Sequence, residues 1–225
     1  MLPALAHIDA WIFDLDNTLY PASANLFQHI DRRMTAFVGD LLGLEPAEAF
    51  RVQKDYFHAH GTTLAGLMAE HDVDPAAFLD YVHDIEMDVL EADAPLAAAI
   101  ARLPGRKLVF TNGDKPYALK VLDRLGLGGQ FEAVHDIHAM GLIPKPQPSA
   151  YAGLCAAFDI DPTRAIFFED MARNLIPAKA IGMTTVWVDN GSEQGGSEQG
   201  SGAPREHIDY TVHALTPWLT SILEE

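Results

Sequence analysis

An apolar run, Trp11-Ile12-Phe13, leads into Asp14-Leu15-Asp16-Asn17-Thr18 and so places two carboxylates one residue apart at the end of a β-type segment. Buried strands ordinarily finish in turn residues, and two ionised carboxylates this close repel unless a cation holds them. A divalent metal is the natural counter-charge. If the backbone stays extended, the two side chains share a face; if it turns sharply, one can ligate metal while the other points elsewhere. The second arrangement suits phosphoryl chemistry. One carboxylate can attack phosphorus while a neighbouring carboxyl protonates the leaving oxygen and then activates water. Taken alone, the pattern fits an Asp-rich turn after an edge strand equally well.

Three further segments narrow the choice. Lys107-Leu108-Val109-Phe110 ends in Thr111-Asn112-Gly113-Asp114 ahead of a helical pattern. This reads as a strand-to-helix turn whose hydroxyl and amides can face an anion, although Thr-Asn-Gly alone is an ordinary turn. Lys145 stands between Pro144 and Pro146, just before another helical segment, on a backbone restrained from both sides. Ala165-Ile166-Phe167-Phe168 ends in Glu169-Asp170, with Arg173-Asn174 one turn into the next helix. Helical segments separate these runs, so the chain reads as α/β, with ligands expected beyond the carboxyl ends of parallel strands near a topological switch point.

In this order, Asp14-Leu15-Asp16-Asn17-Thr18, Thr111-Asn112, Lys145 and Glu169-Asp170 resemble the four motifs of the haloacid dehalogenase superfamily of aspartate-nucleophile phosphatases, over most of the chain. The resemblance implies a Rossmann-like parallel sheet flanked by helices. It implies Asp14 as nucleophile and Mg²⁺ ligand, and Asp16 as general acid and base, touching the metal through its main-chain carbonyl. Thr111 and the amide of Asn112 would bind the transferring phosphoryl group, and Lys145 would neutralise charge between phosphate and Asp14. Asp170 would ligate Mg²⁺ directly, Glu169 through water, and Asn174 would orient this last motif. The chemistry agrees independently, since phosphoryl transfer needs charge neutralisation and in-line positioning, and Mg²⁺ takes a shell of oxygens. The superfamily's dehalogenases lack an acid two residues after the nucleophile, because halide departure needs no protonation. Asp16 therefore points to phosphoryl transfer.

Roughly ninety residues lie between the first and second motifs, too many for a simple crossover. Three- and four-residue apolar spacing predicts helices near 25–42, 46–59, 62–70 and 75–90, with Pro46 and Pro75 at first-turn positions. An all-helical insertion here resembles the superfamily's four-helix cap, giving a core at 1–20 and 95–225 and a cap at 21–94. Tyr20-Pro21, His60-Gly61-Thr62-Thr63-Leu64 and Tyr81-Val82-His83-Asp84 further resemble the pyrimidine 5′-nucleotidase group. That resemblance implies a nucleoside monophosphate such as UMP or CMP as substrate, with Tyr20, His60, Thr62 and Thr63 as candidates for the leaving-group pocket. The plainer reading of the His60 loop is a helix end followed by an N-cap. Alternatives within the same chemistry are a phosphatase of phosphoglycolate or a sugar phosphate, and a phosphomutase; outside it stands a catalytically silent nucleotide-binding protein.

The charge of −17, from 15 Lys and Arg against 32 Asp and Glu, repels nucleic acid and anionic membranes and predicts a screened pocket rather than a basic groove. Cys155 is the single cysteine and cannot form an internal disulfide; its apolar helical setting predicts a buried packing role and a reducing cytoplasm. No signal peptide or spanning segment is read from the sequence, and the expected partner is a small phosphorylated metabolite. Residues 191–202, in which Gly-Ser-Glu-Gln-Gly repeats, are too polar and glycine-rich to bury apolar area and predict a flexible loop within the core. Strands are expected at 184–188 and 208–212, and a closing helix at 215–223 should pack Trp218 and Leu219 on the core.

Overall fold

A computed structural model describes residues 2–192 and 205–224 of the chain. Its sheet consists of β1 (Ala10–Phe13), β2 (Arg106–Phe110), β3 (Ala133–His135), β4 (Ala165–Glu169), β5 (Thr184–Val188) and β6 (Tyr210–Val212). The order across the sheet is β3-β2-β1-β4-β5-β6, and every pairing is parallel. β1 lies in the middle, and Trp11, Ile12 and Phe13 are wholly buried. This explains the unbroken apolar run: strands covered on both faces by helices lose the in-out alternation of a half-exposed sheet. Phe13 stacks on Phe168 at 4.5 Å between ring centres, locking β1 to β4.

Register then fixes the site. Phe13 pairs with Val109 on one side and Phe168 on the other. The residues that follow, Asp14, Thr111 and Glu169-Asp170, consequently emerge along one edge of the sheet. The chain runs from β1 to β2 and β3 on one flank, then crosses to β4 on the other, so β1 is the switch point at which parallel sheets open a crevice.

Between β1 and β2 come α1 (Leu26–Leu42), α2 (Pro46–His60), α3 (Thr63–His71) and α4 (Pro75–Val82). α2 and α3 approach so closely that a Cβ on Gly66 would lie 2.4 Å from that of Tyr56, which only glycine permits. The sequence pattern predicted a fourth helix reaching residue 90, but α4 stops at Val82. Tertiary contacts end it: Arg33 Nε donates to the Tyr81 carbonyl at 2.6 Å, and the ring of His83 stacks on Tyr117.

The remaining helices, α5 (Ala94–Arg102), α6 (Lys115–Arg124), α7 (Pro148–Phe158), α8 (Ala172–Ala180) and α9 (Leu215–Glu224), belong to the sheet's flanks. α5 and α9 pack on each other, and Leu219 is buried while Trp218 lies edge-on to Phe168, half-buried. β3 had no counterpart among the expected strands. Cys155 is half-buried rather than fully buried, and burial pushes its thiol up. Of the loop expected at 191–202, residues 193–202 lie outside the described residues. Among the described residues, no helix is long and apolar enough to cross a membrane.

Candidate active site

β1 delivers Asp14 to the crevice with its amide bonded to the Phe168 carbonyl at 2.9 Å. Beyond it the chain turns at once, Asn17 taking a positive φ of 59°, and the two carboxylates part company. Asp14 Oδ2 accepts from Thr18 Oγ1 at 3.1 Å, and Asp14 Oδ1 from Lys145 Nζ at 2.6 Å. Asp16 instead receives two phenols on one oxygen: Tyr20 and Tyr117 each donate to Oδ1 at 2.5 Å. Both carboxylates line the same cavity.

Lys145 is 1 % exposed and spends all three ammonium protons, on Asp14 Oδ1, the Phe110 carbonyl at 2.9 Å and Glu169 Oε2 at 2.7 Å. Burial works against its charge, but the carboxylates of Asp14 and Glu169 outweigh burial and hold the ammonium above its ordinary range. Asn112 fixes the backbone that carries it. Lys145 N–H donates to Asn112 Oδ1 at 2.9 Å, and Asn112 Nδ2 returns a bond to the Lys145 carbonyl at 3.2 Å. Thr111 Oγ1 accepts from Gly113 N–H at 3.0 Å, which leaves the hydroxyl proton to be donated elsewhere.

The ends of β1 and β4 concentrate negative charge. Asp14, Glu169 and Asp170 each present an oxygen within 4.8 Å of the others, all three residues buried. Glu169 is pinned at both ends, by Lys145 and by the amide of Met171 at 3.2 Å. Asp170 Oδ2 is buried with no hydrogen-bond partner among the described residues. Burial first, and then the charge of Glu169, push Asp14 up to about 7, although Lys145 pulls the other way. Asp170 is raised well above the ordinary carboxyl range by burial and by Glu169 and Asp14. Burial raises Asp16 too, against the opposing pull of the two tyrosine hydroxyls. A buried, mutually repelling set of hard oxygens with an unpartnered Asp170 oxygen fits a divalent cation such as Mg²⁺.

The cavity above these groups, of about 140 Å³, is walled by the helices of the insertion. Phe27, Ile30, Met34, Phe57 and Val82 supply apolar surface, and Asp31, Gln53 and Lys54 supply polar surface. Asp31 Oδ1 accepts from Gln53 Nε2 at 2.6 Å and Lys54 Nζ at 2.7 Å. Val82 belongs to the Tyr81-Val82-His83-Asp84 stretch and Phe57 to the aromatic segment just ahead of the His60 loop, but Phe27, Ile30, Asp31, Met34, Gln53 and Lys54 carried no such signal and read in sequence as ordinary positions on amphipathic helices.

The structure brings Asp14, Asp16, Thr111, Asn112, Lys145, Glu169, Asp170 and Asn174 to this one cavity, with Thr62 and Thr63 on its wall. Thr62 Oγ1 is engaged locally as the N-cap of α3, accepting from Ala65 N–H at 3.1 Å. Thr63 Oγ1 points to the Gln53 carbonyl at 3.5 Å. His60 does not line the cavity; its ring lies against Tyr56, with Glu70 at 3.9 Å. Tyr20 also stands off the lining, buried behind Asp16. Tyr117 was missed: its hydroxyl reaches Asp16 across 101 positions of sequence.

Residues 8–182 match the family model described as haloacid dehalogenase-like hydrolase. Among curated proteins, the chain is 26 % identical over 195 residues to Phosphate metabolism protein 8 of Saccharomyces cerevisiae, covering 77 % of this chain but 59 % of that protein's length. It is 27 % identical over 195 residues to Validoxylamine A 7′-phosphate phosphatase of Streptomyces hygroscopicus subsp. limoneus, covering 78 % of this chain and 83 % of that one. Among solved structures, a HAD phosphatase from Thermococcus onnurineus superposes with a TM-score of 0.61 at 18 % identity, covering 96 % of this chain and 98 % of that chain. The L-2-haloacid dehalogenase of Xanthobacter autotrophicus follows at 0.58 and 17 % identity, with the same coverages of 96 % and 98 %. Identities this low establish the fold alone.

Proposed function

This chain belongs to the haloacid dehalogenase-like hydrolase family, and on that premise we propose that it hydrolyses phosphate monoesters through an aspartyl-phosphate on Asp14. The observation that carries the proposal is the second carboxylate. Asp16 lines the cavity together with Asp14, and departure of a halide has no use for an acid there. The two curated relatives described above carry names from phosphate chemistry, one of them a phosphatase, which supports the same choice.

In this reading a carboxylate oxygen of Asp14 attacks phosphorus and the ester P–O bond breaks. Asp16 gives its proton to the departing oxygen. Water then attacks the acyl-phosphate as Asp16 takes a proton from it, and the bond between phosphorus and Asp14 breaks to release inorganic phosphate. The free hydroxyl proton of Thr111 and the ammonium of Lys145 receive phosphoryl oxygens. Asp14 and Asp170, with Glu169 and the main chain of Asp16, would hold Mg²⁺, which when bound supplies charge neutralisation and a template for the phosphoryl oxygens. The four helices of residues 21–94 act as a cap, excluding water while the leaving group is held.

For the substrate we propose a pyrimidine nucleoside 5′-monophosphate such as UMP or CMP, whose nucleoside is the leaving group. The ring faces of Phe27 and Phe57 and the polar set Asp31, Gln53 and Lys54 on one cavity wall support it, since a base offers a face to stack and an edge to hydrogen-bond. The local engagement of Thr62 and Thr63 moves this recognition from the His60 loop to α1 and α2. A phosphate-release panel of UMP, CMP, phosphoglycolate and sugar phosphates, read as kcat/KM with Mg²⁺ and with chelator, tests both levels. UMP and CMP should lead the panel; equal rates on all esters would refute the nucleotide and keep the phosphatase. Wild-type turnover by Asp14→Asn would refute the covalent mechanism.

A further inference from the structure

We infer that Tyr20 and Tyr117 are positioning residues for Asp16, holding its Oδ1 so that Oδ2 alone trades a proton with the leaving group and then with water. The inference rests on the phosphatase reading above and adds to it which oxygen works and what aims it.

Three observations carry it. Both hydroxyls meet the same oxygen at 2.5 Å, and Oδ2 makes no hydrogen bond among the described residues. The rings are fixed: Tyr20 and Tyr117 are 2 % and 1 % exposed. Tyr117 is clamped further, its amide capped by Asp114 at 2.9 Å and its ring stacked on His83 at 4.2 Å and 11°. His83 Nδ1 in turn faces Asp114 Oδ1 at 3.3 Å.

The terminal torsion of an aspartate is broad, so a carboxyl held by one donor can rotate and exchange its oxygens. Two donors from separate elements on one oxygen remove that freedom and occupy the lone pairs of Oδ1. A phenol keeps its proton at neutral pH, so both hydroxyls remain donors through the cycle. The proton balance follows. Oδ2–H passes to the ester oxygen as that P–O bond breaks; later Oδ2 takes one proton from the water whose oxygen bonds to phosphorus, and Asp14 leaves as carboxylate.

Such a role shows in the leaving-group dependence. A nitrophenolate departs without protonation, whereas an alkoxide needs the acid. Wild type, Tyr20→Phe, Tyr117→Phe and each variant combined with Asp16→Asn are compared with Mg²⁺ on 4-nitrophenyl phosphate and on whichever of UMP, phosphoglycolate and glycerol phosphate the wild type hydrolyses fastest. Each Phe variant should lose about tenfold or more in kcat/KM on the alkyl ester and less than about threefold in kcat/KM on the nitrophenyl ester, because kcat/KM reports the transfer to Asp14 and not the later hydrolysis common to both. In the Asp16→Asn background the tyrosine changes should add nothing further. Equal losses on both esters, no loss on either, or full additivity with Asp16→Asn would overturn the inference while leaving the phosphatase standing. So would failure of both Phe variants to fold, by circular dichroism, since the hydroxyls would then be holding the fold and not the acid. A wild type that releases phosphate from none of the alkyl esters would overturn the phosphatase reading and this inference with it.

Discussion

Raising the pH should destabilise the metal-free protein, and Asp14 makes a contribution that a single substitution isolates. Burial and the charge of Glu169 push its carboxyl from the ordinary 3.8 up to about 7, even with Lys145 at 2.6 Å. Between those values the folded chain keeps a proton that the unfolded chain has released. Stability is therefore fullest below the unfolded value and falls as pH climbs through the folded one. At about 1.4 kcal/mol for each unit of difference, the loss between about pH 5 and about pH 8 is about 3 kcal/mol. Asp14→Asn has no proton to lose in that window. Urea unfolding in chelator across this range should give the wild type the steeper decline by about that amount. Asp16 and Asp170 are present in both proteins and raised in the same direction, so the difference between the two curves reports Asp14 and its coupling to Asp170. Mg²⁺ at the upper pH should restore the wild type far more than Asp14→Asn, because a bound cation stabilises the ionised form. Parallel curves for the two proteins would refute the account of Asp14 as a carboxylate held at a cost until a cation arrives.

Asp16→Asn should lower kcat by about 10² to 10⁴, with the greater loss on esters of poorly leaving alcohols and substrate affinity retained, as measured by steady-state kinetics on a leaving-group series. Lys145→Met should destabilise the metal-free protein by about 3 to 5 kcal/mol, since it strands Asp14 and Glu169 without their buried cation; denaturant midpoints check it, and a neutral result would contradict the geometry. Gly66→Ala should cost about 1 to 3 kcal/mol through overlap with Tyr56, with thermal unfolding as the readout, because the added Cβ meets a side chain rooted 2.4 Å away.

The parts of this molecule legible in sequence are those in which local pattern and tertiary position coincide. β1, β2 and β4 lie in the interior of a parallel sheet, so Trp11 to Phe13, Leu108 to Phe110 and Ala165 to Phe168 had to be apolar throughout, and the polar residues that follow had to mark the sheet edge. β3, at three residues with its first only half-buried, is too short to impose a period. α4 ends where Arg33 and Tyr117 intervene from elsewhere in the chain, a stop that no residue near position 83 announces. The pairing of Tyr117 with Asp16 is invisible for the same reason. Thr62 shows the converse failure: one hydroxyl suits a cap and a ligand equally well in sequence, and the amide of Ala65 claims it.

Lys145 marks the point where the arrangement must move if the proposed chemistry is right. An ammonium has three protons, and all three are engaged, by Asp14, Glu169 and the Phe110 carbonyl. A phosphoryl oxygen can therefore gain Lys145 only by displacing one of these partners. Glu169 and the carbonyl keep their character through the reaction. Asp14 does not, because attack on phosphorus turns its carboxylate into a mixed anhydride and removes the charge that draws the ammonium. The bond to Asp14 thus weakens as negative charge shifts to the phosphoryl oxygens, and the same proton can turn to them without leaving the site. A lysine buried among carboxylates on a chain of net charge −17 then serves two states with one position. It holds Asp14 before the transfer and the phosphoryl group after it, which is differential stabilisation of the kind that lowers a barrier instead of merely tightening binding.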